Sequence, residues 1–144
     1  MRVRDVLKSK RGGVISIESG AIVSEALARL VQNNIGALPV VDEDGRLVGM
    51  FSERDVLRGI HNRGEGFGRI KVSEVMTRNP ITCDLDEEVD DVMGKMSERR
   101  IAKVPVLNED RLVGIVSVGD VIKVMYEKLH SEHQHLMTYI HGTH

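Results

Sequence analysis

The sequence predicts a mixed α/β (α+β) fold assembled from two β-α-β-β-α units, and three observations lead there. The chain repeats itself: residues 35–58 read IGALPVVDEDGRLVGMFSERDVLR, and residues 101–123 read IAKVPVLNEDRLVGIVSVGDVIK. Within each copy, two apolar runs flank a short acidic stretch, which is hairpin chemistry. Ahead of each hairpin lies a segment with helical apolar spacing. A unit of roughly 60–70 residues is marginal on its own, because too much of its surface stays wet. Each copy is therefore expected to pack on its twin and leave a groove between them.

The elements follow in order. Val3–Leu7 matches Val72–Met76, one short helical turn in each copy. Val14-Ile15-Ser16-Ile17 matches Pro80-Ile81-Thr82-Cys83, two short β-type runs. Between these segments the first copy reads KSKRGG where the second has only TRN, an excess of three residues. Val23, Leu27, Leu30 and Val31 then form one helical stripe, and Val89, Met93 and Met96 form its counterpart, with Asp86 as the expected N-cap. Strands are expected at Ala37–Val41 and Leu47–Phe51, and at Lys103–Leu107 and Leu112–Val116. Gly45, at the tip of the first hairpin, has no counterpart in the second. Each hairpin runs into a helix beginning near Ser52 or Ser117. His61–Lys71, with Gly64, Gly66 and Gly68, reads as a flexible linker; its glycines lack the spacing and the preceding strand of a dinucleotide fingerprint. The expected boundaries are 2–62 for the first repeat, 63–71 for the linker, 72–128 for the second repeat and 129–144 for a helical tail.

Composition narrows the function. Apolar residues make up 41%, but only Phe51, Phe67, Tyr126 and Tyr139 are aromatic, so the core must be aliphatic. A net charge of −2 gives no electrostatic footprint for nucleic acid, and so few aromatics give no stacking platform. Cys83 is the single cysteine and can form no internal disulfide, as suits a reducing cytoplasm. No leader pattern and no apolar run near the roughly 20 residues of a bilayer span are present. A cytoplasmic protein without membrane or nucleic-acid partners is expected.

The doubled pattern of an L/V-P-V strand, a turn, an L-V-G strand and S-x-x-D opening a helix resembles the cystathionine-β-synthase-type (CBS) domain pair, or Bateman module, in its stand-alone bacterial form. The resemblance covers about residues 2–128. It implies two repeats related by a pseudo-twofold axis, assembly as a homodimer, and grooves that bind an adenosine-containing ligand. AMP is the foremost candidate, beside ADP, ATP, S-adenosylmethionine and a nicotinamide dinucleotide. No obligatory cofactor is implied.

Ser52-Glu53-Arg54-Asp55 and Ser117-Val118-Gly119-Asp120 are the twin candidate sites. A helix N-terminus offers free N–H groups and partial positive charge to a phosphate. Ser52 and Ser117 add hydroxyl donors, while Asp55 and Asp120 each offer two acceptor oxygens to a ribose diol. The resemblance implies the same roles. A plain capping box, needed only to start the helix, accounts for each motif equally well in isolation. The cations differ between copies: Arg54 faces Gly119 in the repeat alignment, and Lys103 faces Ala37. Arg99 and Arg100 are further phosphate candidates, or simply complement a helix C-terminus. For the base, the resemblance points to Ile15, Ser16, Ile81, Thr82 and Cys83, and to Leu38, Pro39, Val104 and Pro105. Part of that set is expected to be strand core, and Cys83 to be a small core residue.

Five of six histidines lie at or beyond position 130: His130, His133, His135, His141 and His144. His130, His133 and Glu127 fall on one helical face, but H-E-x-x-H and a nearby cysteine are lacking, so no metal site is assigned. Met125, Leu129, Leu136 and Ile140 suggest instead an amphipathic helix that packs on the module or on a second subunit. The sequence thus reads as a non-catalytic nucleotide sensor acting on a regulated protein. The alternative is an interaction scaffold with vestigial grooves. Catalysis is disfavoured, for no nucleophile–base pair or phosphate-binding loop is present.

Overall fold

A computed structural model describes residues 1–10 and 12–141, without the side chains of His135 and residues 138–141. The order is α1 (Val3–Lys8), β1 (Ile17–Glu18), α2 (Val23–Asn33), β2 (Ala37–Val41), β3 (Leu47–Ser52) and α3 (Glu53–Arg63). A 3-10 helix (Gly64–Arg69) follows, then α4 (Val72–Val75), β4 (Thr77–Arg78), β5 (Cys83–Asp84), α5 (Val89–Arg99), β6 (Lys103–Asn108), β7 (Arg111–Ser117) and α6 (Val118–His141). One sheet is β1-β2-β3-β4 and the other β5-β6-β7. In each, the first two strands run parallel around a crossover helix and the hairpin is antiparallel. The mixed α/β reading is what the fold shows.

The first strands fall later than expected, at Ile17–Glu18 and Cys83–Asp84, leaving Val14 and Ile15 outside the sheet. The α2 stripe also differs: Ala26 is buried beside Val23 and Leu30, whereas Val31 is 79% exposed. In α5 the buried face is Val89, Val92 and Met96. Its N-cap is Glu88 rather than Asp86, which lies outside the helix and accepts at Oδ1 from Arg4 Nε and Nη2 at 2.8 and 2.6 Å. The hairpin tips reflect the unequal turn lengths. Asn108 pairs with Arg111, so Glu109 and Asp110 form a two-residue turn, both at positive φ. In the first copy Gly45 takes the positive φ and Asp42 Oδ1 accepts from the N–H groups of Asp44 and Arg46.

The short helices change places. Val3 and Val6 of α1 are fully buried in the second repeat's core, with Val89, Val104 and Val116. Val72 of α4 is buried in the first repeat's core, with Ile17, Leu38 and Phe51. Backbone bonds hold each guest: Val3 and Arg4 donate to Glu87 and Leu85, while Val72 and Ser73 donate to Ala21 and Ser19. The segment expected as a linker folds as the 3-10 helix over Gly64–Arg69. Phe67 is 3% exposed within the first core, seated so close to Gly59 of α3 that any β-carbon there would collide with its ring. One aromatic anchor overrides the glycines around it.

Candidate functional site

The two Ser-x-x-Asp motifs end up in different surroundings. In the first copy, β4 adds to the edge of β3, pairing Gly49 with Arg78 and Met50 with Thr77. This brings in the Thr77 hydroxyl, which donates to Asp55 Oδ1 at 2.9 Å. Asp55 Oδ2 accepts from the Ser52 N–H at 2.8 Å and the Ser52 hydroxyl at 3.1 Å. Asp55 is 4% exposed, with both oxygens committed inside the protein. Arg58 Nη1 stands 4.0 Å from Oδ1, while Arg54 is exposed on the outer side of α3.

Among the described residues no strand pairs with the other edge of β7 in the second copy. The chain after α1 carries the three extra residues, and Lys10, Gly12 and Gly13 from it border the same cavity as Gly114 and Ile115 of β7. Lys10, from this stretch, takes the place on the edge: its Nζ donates to the Ile115 carbonyl at 2.8 Å and meets Asp120 Oδ2 at 2.9 Å. Ser117 and Asp120 form a reciprocal capping box, with the Ser117 N–H on Oδ2 at 2.9 Å and the Asp120 N–H on the Ser117 hydroxyl at 3.0 Å. Asp120 keeps 23% of its side chain exposed. Partial burial raises its carboxyl, but the contacts with Lys10 and with the Ser117 backbone and hydroxyl outweigh this, leaving it below the usual carboxylate value. Because both partners reach water, the Lys10–Asp120 pair is worth at most about 1 kcal/mol and is cheap to exchange.

A cavity of about 300 Å³ opens beside Lys10, at the small end of the range for ligand sites. The first repeat supplies Ile15, Ile35 and Ala37, and the second supplies Lys103, Val113 and Ser117. Ile15 and Val113 are 36% and 41% exposed, so their apolar surface is open to a flat ring. Lys10 and Lys103 are the charged side chains lining the cavity among the described residues. Asp120 lies directly behind Lys10 and Ser117.

The structure therefore brings Ser117, Asp120, Lys103 and Ile15 together and leaves the other expected residues elsewhere. Leu38 and Val104 are fully buried with their side chains in the cores, the part of the expected set that serves as strand core. Alternation along the strand explains this, for Ala37 and Lys103, one step earlier, face the cavity. Pro39 and Pro105 are buried as well. Cys83 is 3% exposed, and burial, reinforced by nearby Glu87, pushes its thiol up to about 12. Ser16 borders a separate hollow with Glu18 and Glu25, and its carbonyl accepts from Arg29 at 2.6 Å. Ile81 and Thr82 are half-buried, the Thr82 carbonyl near Lys95 Nζ at 3.5 Å. Arg99 closes α5, and Arg100 caps it in the left-handed region at φ 54°. Sequence reasoning missed Lys10 and Thr77. The extra KSKRGG segment was the available signal for Lys10; Thr77 follows a helix with no pattern to mark it.

Among the described residues no group of three or more histidine, cysteine or acidic side chains is placed to hold a metal. The histidine tail continues α6 to His141, with Tyr126 and His130 stacked at 6.1 Å. His144 and the side chains of His135, Ile140 and His141 lie outside what is described. No helix among the described residues is long and apolar enough to cross a membrane.

The CBS domain family model matches residues 3–62 and again 72–127. Among curated proteins, the mitochondrial CBS domain-containing protein CBSX3 of Arabidopsis thaliana is 34% identical over 97% of this chain and 72% of its own. Among solved structures, the CBS-domain protein ATU1752 of Agrobacterium tumefaciens is 34% identical with a TM-score of 0.79, covering 87% of this chain and 99% of that one. The CBS domain pair of protein MJ0100, solved with 5′-methylthioadenosine and S-adenosyl-L-methionine, is 35% identical with a TM-score of 0.75, covering 89% and 98%. Duplicated motifs, twin sheets and these matches agree: the chain belongs to the CBS domain family, as a tandem pair.

Proposed function

We propose that this chain is a non-catalytic regulatory module that binds an adenosine-containing ligand between its repeats and signals to a partner protein. The observation that carries this is the cavity itself, to which both repeats contribute: apolar Ile15 and Val113 for the base, Ser117 and Lys103 for phosphate, and Asp120 behind them for the ribose diol. The adenosyl ligands of the MJ0100 pair support the same class. A ligand touching both repeats favours one relative angle over others, which is how binding becomes a signal. The first copy's motif has its aspartate engaged by Ser52 and Thr77, so the working site is the one beside Asp120. Isothermal titration with AMP, ADP, ATP, S-adenosylmethionine, 5′-methylthioadenosine and NADH tests the proposal, and at least one should bind at micromolar concentration. Heat from none of them would end it.

Assembly as a homodimer belongs to this reading. Leu57 and Ile60 on α3 are 70% and 56% exposed, and Ile122 and Met125, at the matching positions of α6, are 58% and 45% exposed. Two apolar patches related by the repeat form a self-complementary surface of the kind a twofold interface needs.

A further inference from the structure

The Lys10–Asp120 pair has a consequence for ligand choice, resting on the reading of the cavity as an adenosyl site. We infer that Lys10 makes this cavity selective for phosphate-bearing adenosine ligands, by holding Asp120 until a phosphate draws the ammonium away. In the free protein Lys10 Nζ sits 2.9 Å from Asp120 Oδ2, the oxygen that also takes the Ser117 N–H. A ribose diol approaching Asp120 therefore competes with an ammonium. A ligand that takes both oxygens of Asp120 must displace that ammonium, and neutral 5′-methylthioadenosine, with no anionic group, gives it nothing in return. A phosphate at Ser117 offers Lys10 a new anion within the same cavity, and Lys103 lines the same space. Phosphate capture and ribose capture thus become one coupled event.

The geometry suits an exchange. Lys10 is 37% exposed and comes from the extra segment rather than from a strand, and its second bond, to the Ile115 carbonyl, anchors it at the cavity wall. Among the described residues lining the cavity none is a carboxylate, and Asp120, the acidic group behind them, is already held by Lys10 and the Ser117 N–H. The matching edge in the first repeat is covered by β4, whose Thr77 donates to Asp55 and carries no charge to trade.

The test is titration of three adenosine ligands that differ in charge: AMP, neutral 5′-methylthioadenosine and cationic S-adenosylmethionine, against wild type, Lys10→Met and Lys10→Arg. Wild type should prefer AMP over 5′-methylthioadenosine by about tenfold or more. In Lys10→Met the preference should collapse from both sides: AMP weakens, while 5′-methylthioadenosine tightens because Asp120 is released. Lys10→Arg should restore the preference. Equal affinity for the charge series in wild type, or a preference that survives Lys10→Met, overturns the inference while leaving an adenosyl site intact. Absence of binding by all three overturns the site itself, and this inference with it.

Discussion

Asp55 and Asp120 occupy matching positions in the two repeats, yet one is enclosed by three donors and the other is shared between a capping box and a partly exposed lysine. Replacing Asp55 with Ala strands the Thr77 hydroxyl and the Ser52 N–H, and should cost about 2–3 kcal/mol in urea denaturation. Nucleotide affinity at the cavity should barely change. Asp120→Ala should instead abolish most binding and cost less stability, about 1 kcal/mol or less. The carboxyl of Asp120 lies below its ordinary value of 3.8, so the native state releases this proton more readily than the unfolded chain. Its stabilisation is therefore complete above about pH 4 and is lost as the pH falls through the native value. Thermal melts of wild type and Asp120→Asn should be separated near neutral pH and converge in strong acid. Glu87, likewise lowered, is present in both proteins and cancels from the comparison.

At the scale of elements, the unequal fates of the two sites trace to six residues, KSKRGG, standing where the other copy has three, TRN. Short spacing lets β4 close on β3; long spacing leaves β7 open and installs Lys10. Gly49 makes that closure possible, since a β-carbon there would meet the Thr77 carbonyl at 2.8 Å and the Met76 sulfur at 2.6 Å. Gly49→Ala should peel β4 away, seen as faster amide exchange at Thr77 and Arg78 and as increased exposure of Asp55. The helix ends offer an independent check. Asn34 and Arg100 cap α2 and α5 at matching left-handed positions, which asparagine tolerates better than arginine. Arg100→Gly should therefore stabilise the protein by up to about 1 kcal/mol. Repeats, hairpins and helices were legible because turn chemistry and apolar spacing are local signals. The exchange of α1 and α4 was not, because Val3 and Val72 look alike and nothing local says whose core each will fill. The Ser-x-x-Asp pairs were legible as motifs, but their exposure depended on a neighbouring segment whose length, rather than identity, decided the outcome.

For the whole molecule, the exchanged helices make the two cores mutually dependent. Removing buried methyl groups from α1 with Val6→Ala should cost about 2 kcal/mol, and the loss should appear in one cooperative transition rather than in the second repeat alone. The same coupling would give the proposed ligand leverage, because Lys10 lies just beyond the helix that the second core holds. Dimerisation is testable at this scale as well. Ile122→Glu should convert a dimer to a monomer by light scattering, without lowering the melting temperature of the protomer core.

A repeat that lodges its first helix in its twin also sets what can be inherited or cut out. A fragment spanning one copy would carry a short helix fitted to a partner core and a vacancy where its partner's helix belongs. Its simplest remedy is a second fragment with the same two defects, joined head to tail in mutual exchange. The pair, rather than the single copy, is thus the smallest piece of this chain that can travel as one.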